Sequence, residues 1–164
     1  HPARNSRGLA MVIAGGGTGG HLFPGVAIAE EFLGRNPANR VLFIGTKRGL
    51  ERRVLSGLGL PLRTLNVEGL KGRGPLGILG SLFKIPGSLF ESFRILREFS
   101  PVVVVGVGGY ASGPAVLTAR LMGMKTAIAE QNAFPGLTNR ILGRIAHRIF
   151  ATRSAGMFAC TQSK

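Results

Sequence analysis

Three observations in the sequence predict a doubly wound, Rossmann-like α/β fold built on a parallel sheet. The apolar run Leu9 to Ala14 feeds straight into Gly15-Gly16-Gly17-Thr18-Gly19-Gly20-His21, and a helical pattern leaves it. Val102 to Val105 is four valines in succession, which suits a central strand buried on both faces. Short β-branched runs alternate with helical patterns along almost the whole chain, as a sheet covered on both sides by helices requires.

In chain order, the first strand and glycine turn lead to a helix with Pro24 near its first turn and Leu22, Val26, Ala29 and Leu33 at core-facing spacing. A second strand is expected over Arg40 to Gly45, a short helix over Leu50 to Gly57 and a third strand over Leu62 to Val67. After the glycine-punctuated stretch Glu68 to Gly80 comes a long apolar pattern, Leu76 to Phe99, which Pro86 is expected to kink or split. The valine strand follows, then a helix from about Pro114 to Met122, a strand over Thr126 to Ala129, a helix lined on one face by Leu137, Ile141 and Ile145, and a last strand over Arg148 to Thr152. The expected division is a tail over 1–8, one Rossmann-like domain over 9–152, and a C-terminal segment over 153–164.

A length of 164 residues suits one domain with a real core, and 26 glycines make it rich in loops. Lys and Arg number 21 against 7 acids, all glutamate, for a net charge of +14, so the partner is anionic: a phosphorylated substrate, an anionic lipid surface or a nucleic acid. Nucleic acid is disfavoured, because there is no Trp and the single Tyr110 lies in a glycine loop rather than among basic residues. One cysteine, Cys160, makes no internal disulfide or cysteine-built zinc site and fits a reducing cytosol. No apolar run approaches the roughly 18 residues of a membrane span, and the basic tail has no apolar stretch of a signal peptide behind it. A soluble or membrane-surface protein is expected.

The glycine turn gives backbone N–H groups and a helix N-terminus a common direction, a place suited to phosphate. Gly15, Gly17 and Gly20 also satisfy G-x-G-x-x-G, which alone is weak. NAD would want an acid after the second strand; Gly45-Thr46-Lys47-Arg48 stands there, leaving an NADP-binding oxidoreductase as a minor alternative. A parallel sheet brings three loops to one edge: the first glycine turn, Gly106 to Pro114, and Glu130-Gln131-Asn132. His21, Tyr110, Ser112, Glu130, Gln131 and Asn132 are the polar side chains among them, and two glycine-rich loops on one edge favour a diphosphate cradle.

Gly16 to Pro24, Gly108 to Pro114, and Glu130-Gln131-Asn132 followed by Gly136-Leu137-Thr138-Asn139 resemble, in order and in register, the MurG-type glycosyltransferases. These transfer N-acetylglucosamine from UDP-GlcNAc to an undecaprenyl-pyrophosphoryl N-acetylmuramoyl pentapeptide. The resemblance implies the N-terminal half of a two-Rossmann (GT-B) enzyme, holding the acceptor while a C-terminal domain supplies most of the UDP site; it implies no cofactor. A chain of this half alone is expected to turn over little. A non-catalytic lipid- or phosphate-binding module that needs a partner chain is the alternative from another class.

On this resemblance the muramoyl 4-hydroxyl attacks the anomeric carbon with inversion, and a base takes its proton. His21 admits three roles, base, ligand contact or structural residue, with base the leading one; Glu130, read as the only acid near the loops, is the other candidate base or a holder of its own loop. The acceptor diphosphate is expected on Gly17, Thr18, Gly19, Gly108, Gly109, Tyr110 and Ser112, with the N–H groups of Thr18, Gly19, Gly109 and Ser112 as donors. The donor sugar is expected on Thr18, Gly19, Gly20 and Asn132, with Gln131 and Asn139 orienting sugar groups. No metal is called for, since the chain has no Asp-x-Asp pair.

In the long helix pattern Ile78, Leu82, Ile85, Leu89, Phe93 and Leu96 share a face suited to the core, and Leu76, Leu79, Phe83 and Phe90 form a second stripe. With Lys71, Arg73, Lys84 and Arg94 nearby, that stripe fits an anionic bilayer surface, and burial of both stripes is the competing reading. Arg140, Arg144 and Arg148 extend a basic collar or a plain solvated face. The expected location is cytoplasmic, on the inner face of the plasma membrane.

Overall fold

The computed structural model describes residues 7–47, 49–67, 75–132 and 134–151, with side chains from Phe83 onward in the helix that begins at Pro75. Lys71, Arg73, Cys160 and the segment 153–164 lie outside the described residues, as do the side chains of Leu76 and Leu79.

Six strands, β1 (Ala10–Gly15), β2 (Arg40–Thr46), β3 (Leu62–Leu65), β4 (Val103–Gly108), β5 (Lys125–Glu130) and β6 (Arg148–Ala151), form one sheet in the order β3-β2-β1-β4-β5-β6. Every pairing is parallel. This is the doubly wound order whose reversal lies between β1 and β4, and ligands of such folds sit outside the carboxyl ends of those two strands. The helices are α1 (Gly19–Arg35), α2 (Gly49–Gly57), α3 (Pro75–Phe99), α4 (Ser112–Leu121) and α5 (Leu137–Leu142).

Successive strand side chains point to opposite faces, and the core is accordingly split in two. Val12 and Ala14 of β1 and Val104 of β4 pack with Leu96 of α3, Val116 of α4 and Leu142 of α5. Ile13, Val105 and Val107 pack on the other face with Leu22, Val26 and Ala29 of α1 and Leu55 of α2. Each such buried aliphatic side chain contributes about 1.5–3 kcal/mol, which is why Val104 and Val105 occupy the sheet centre; Val102, expected in the same strand, lies before β4 and is exposed, and Val103 is half-buried.

The observed boundaries differ from expectation at the helix starts. α1 begins at Gly19, well before Pro24, and α4 begins at Ser112 rather than Pro114. α3 runs unbroken through Pro86, correcting the expected split; Pro86 is exposed, where water can take the carbonyl deprived of its N–H partner. The buried face of α3 is only in part the one expected. Leu96 is buried as expected, but Ile85 and Phe93 are exposed, and Ser88, Ser92 and Ile95 are buried in their place. The serines can face inward because each hydroxyl donates to its own helix, Ser88 Oγ to the Ile85 carbonyl and Ser92 Oγ to the Ser88 carbonyl, both at 2.8 Å. Small side chains there let α3 lie close on α4.

Candidate active-site cleft

β1 and β4 end side by side, with Gly15 opposite Gly108, and the Gly16 N–H donates to the Gly108 carbonyl at 3.1 Å. The two glycine turns therefore lean on each other. At Gly109, φ is +87° and a Cβ would overlap the Gly16 carbonyl oxygen, so only glycine permits this approach. From the turns α1 and α4 depart, and neither has a capping side chain: Thr18 and Ala111 make no side-chain cap bond. Among the described residues no backbone carbonyl takes the N–H of Thr18, Gly19, Gly20, Gly109 or Tyr110. Two uncapped N-termini at one crevice favour an anion between them.

Not every expected donor is available. The Gly17 N–H is already given to Glu51 Oε1 at 2.6 Å, and that oxygen also accepts Thr46 Oγ1–H at 3.0 Å. Ser112 is fully buried, its hydroxyl turned toward Gly106 inside the sheet-helix layer, and its N–H bends back to the Gly109 carbonyl at 3.3 Å. The N–H of Ser112, an expected diphosphate donor, and that of Gly17, an expected diphosphate contact, are thus both used in shaping the turns.

Glu51 also corrects the expectation that Glu130 is the only acid near the loops. It comes from α2, is 1 % exposed, and its Oε2 has no hydrogen-bond partner among the described residues. Its contact with Gly17 spans 34 positions, so only the order of strands could have placed it.

His21 sits in the first turn of α1 and lines the cleft. Its Nδ1 lies 3.1 Å from the Val107 carbonyl oxygen, which can only accept. That partner assigns the neutral ring a proton on Nδ1 and leaves the lone pair on Nε2. Gly108 makes room for the ring: its φ is +101° and a Cβ would lie 2.6 Å from Nδ1.

Gln131 does structural work. Pro24 has no N–H for the Gly20 carbonyl one turn earlier, and Gln131 Nε2 donates to that carbonyl instead, at 2.6 Å. The same nitrogen stands 3.3 Å from His21 Nδ1, so the end of β5 is fastened to the start of α1 beside the imidazole. Glu130 is buried; Oε1 accepts the Asn132 backbone N–H and Nδ2 at 2.9 and 3.0 Å, and Oε2 accepts Asn139 Nδ2 at 2.9 Å. Asn139 is itself buried, with its Oδ1 lacking a partner among the described residues, whereas Asn132 is exposed. Tyr110 is 40 % exposed on the cleft rim.

The cleft is an open cavity of about 910 Å³. Gly16, Gly17, Thr18, His21, Gly108 and Gly109 line its polar end, with Glu130 and Asn139 beside them. Leu137 and Ile141, expected on the apolar face of a packed helix, are 71 % and 56 % exposed and face this cleft, while Asn139 and Leu142 of the same helix turn inward.

The sequence profile of the glycosyltransferase family 28 N-terminal domain matches residues 11–151. The chain belongs to this family. Among curated relatives, the UDP-N-acetylglucosamine--N-acetylmuramyl-(pentapeptide) pyrophosphoryl-undecaprenol N-acetylglucosamine transferase of Syntrophus aciditrophicus (strain SB) is 66 % identical over 148 residues, which is 90 % of this chain and 41 % of the relative. The protein of the same name from Myxococcus xanthus (strain DK1622) is 58 % identical over 142 residues, covering 87 % of this chain and 37 % of the relative. The crystal structure of MurG from Acinetobacter baumannii superposes with a TM-score of 0.74 at 35 % identity, over 88 % of this chain and 41 % of that one. UDP-GlcNAc 2-epimerase from Methanocaldococcus jannaschii shares the fold alone, at TM-score 0.58 and 17 % identity over 92 % of this chain and 41 % of that one. The chain thus spans about two fifths of the family relatives it matches, and the Rossmann-like half of a GT-B architecture is the part it supplies.

Proposed function

We propose that this chain is the acceptor-binding half of an inverting hexosyltransferase that moves N-acetylglucosamine from UDP-GlcNAc to undecaprenyl-pyrophosphoryl N-acetylmuramoyl pentapeptide. The 66 % identity over 90 % of the chain to a transferase of that name carries the reading, and the family match over residues 11–151 takes in all three loops at the sheet edge. In this proposal the acceptor diphosphate rests on the N–H groups of Thr18, Gly19, Gly109 and Tyr110, at the positive ends of α1 and α4. His21 Nε2 takes the proton of the muramoyl 4-hydroxyl as that oxygen bonds to the anomeric carbon. The bond from that carbon to UDP breaks on the opposite face, which inverts the configuration. The Val107 carbonyl holds the imidazole in the tautomer this needs, and Gln131 steadies its helix.

Glu130 is assigned a positioning role, since its carboxylate is engaged by Asn132 and Asn139. Asn132 would meet the donor sugar, whose UDP would be held mainly by a second domain. In a two-domain enzyme carrying this chain, His21→Ala lowers kcat by about 10²-fold or more. Turnover within a few-fold of the parent would remove His21 as the base.

The same proposal places the protein on the cytoplasmic surface of the membrane. No helix among the described residues is long and apolar enough to cross a bilayer. Phe83 and Phe90 are 77 % and 62 % exposed on α3, near Lys84 and Arg94, the mixture that suits an anionic surface. Phe83→Glu with Phe90→Glu weakens sedimentation with anionic liposomes and leaves the thermal transition in place; unchanged sedimentation would refute the surface.

A further inference from the structure

Behind the first glycine turn lies a carboxyl group that the acceptor-binding reading leaves without a task. Glu51, in the first turn of α2, is buried and does not line the cleft, so it reaches the turn from the far side. Its Oε1 accepts the Gly17 N–H at 2.6 Å and Thr46 Oγ1–H at 3.0 Å, while its Oε2 has no partner among the described residues. An acid buried with one oxygen unpaired is costly to the fold, and its presence calls for a reason. The peptide unit it holds supplies one. Gly16 and Gly17 have φ of +128° and +91°, and with no Cβ on either residue the peptide between them can turn over at little steric cost. Glu51 fixes the N–H end of that unit. At its other end stands the Gly16 carbonyl oxygen, against which the second turn packs, since a Cβ on Gly109 would overlap it. Gly16 must be bare as well, because a Cβ there would lie 2.5 Å from Glu51 Oε1. Gly17 is also the middle glycine of G-x-G-x-x-G, where a dinucleotide's pyrophosphate would approach the backbone, and here its N–H is already taken.

We propose that Glu51 is a positioning residue of the anion cradle. Its reach to the Gly17 N–H holds the Gly16–Gly17 peptide in the one orientation that keeps the two turns in contact, and so sets the open N–H groups of Thr18 and Gly19 against those of Gly109 and Tyr110. The proposal rests on the acceptor-binding reading and deepens it, by naming what shapes the diphosphate site from outside the cleft. Released from Glu51, the peptide turns over, the Gly16 carbonyl leaves Gly109, and the two helix ends no longer converge on one anion. A negative charge beside an anion site works against binding, so what Glu51 contributes there is geometry.

The test separates reach from charge. Glu51→Gln keeps the length of the side chain and an oxygen for the Gly17 N–H, whereas Glu51→Asp keeps the acid and draws it back by one methylene. Parent and variants are titrated with inorganic pyrophosphate well below their thermal transitions, and the amides are followed by chemical shift. Glu51→Gln is expected to bind within about threefold of the parent and Glu51→Asp about tenfold more weakly. In Glu51→Asp the Gly109 and Tyr110 amides, which Glu51 does not touch, are expected to shift before any ligand is added. The parent gives a reading that needs no variant: its Gly17 amide, bonded to Glu51, is protected from exchange and nearly keeps its shift as pyrophosphate saturates. Glu51→Asp binding as tightly as the parent, Glu51→Gln weakened as much as Glu51→Asp, or a parent Gly17 amide that moves as far as that of Thr18 would overturn the proposal and leave the cradle standing. A parent that does not bind pyrophosphate would overturn the cradle and the proposal with it.

Discussion

Gly108→Ala puts the geometry of the two turns to a quantitative test. The residue sits at φ +101°, where a side chain costs about 1–2 kcal/mol of backbone strain. The new methyl group would lie 2.6 Å from His21 Nδ1 and 2.8 Å from Cε1, so the ring must move. Moving it surrenders the 3.1 Å bond to the Val107 carbonyl, a net loss of about 0.5–1.5 kcal/mol, and crowds its neighbours at a cost of about 1–3 kcal/mol. These last two overlap, since a ring that leaves relieves the crowding, and a total of about 2–4 kcal/mol follows. For a domain of this size that is a fall in Tm of roughly 5–15 °C. Gly123→Ala is the control: φ there is +76° with open space around it, so backbone strain acts alone and the loss stays near about 1–2 kcal/mol. The assay is urea and thermal unfolding of both variants, with ring nitrogen shifts of His21 recorded alongside. Equal losses in the two variants, with unchanged ring shifts, would refute the packing of Gly108 against His21.

Glu51→Gln keeps an acceptor for the Gly17 N–H and is expected to fold with a loss under about 2 kcal/mol, whereas Glu51→Ala strands that N–H and the Thr46 hydroxyl and loses about 2–5 kcal/mol; equal stability of the two in urea would show the contact to be idle. At His147, desolvation, and after it the charges of Arg120 and Lys125, hold the imidazole below its ordinary value of 6.5. Its Nδ1 accepts the Thr126 backbone N–H at 3.1 Å, a bond the protonated ring cannot accept. The unfolded chain therefore binds that proton more readily, so this contribution is complete above pH 6.5 and is lost as pH falls below it. Urea midpoints measured from pH 7.5 down to pH 5 should fall more steeply for the parent than for His147→Gln; parallel profiles would contradict the assignment.

Much of this was legible because strands and turns announce themselves locally. The valine run could only be a central strand, and five glycines among Gly15 to Gly20 could only be a turn at a sheet edge. Helix starts were harder: Gly19, Gly20, Ser112 and Gly113 are poor helix formers, and tertiary packing rather than propensity draws them into α1 and α4. The face of α3 was misread because an apolar count passes over Ser88 and Ser92, whose hydroxyls satisfy themselves on the helix. The three loops were found in sequence, but what they do to one another was not. Glu51 reaches Gly17 across 34 positions and Gln131 reaches Gly20 across 111, and no local pattern encodes such pairs. Pro24 held the one clue, since its missing N–H had to leave a carbonyl for something else to find.

The most direct test of the acceptor-domain account is an amide chemical-shift titration of the chain with a soluble acceptor analogue, a short prenyl diphosphate joined to N-acetylmuramoyl peptide, set against UDP-GlcNAc. The account predicts saturable shifts at Thr18, Gly19, Gly20, Gly109 and Tyr110 with the acceptor analogue, and far weaker ones with the nucleotide sugar. Shifts at those amides with UDP-GlcNAc and none with the acceptor analogue would contradict it.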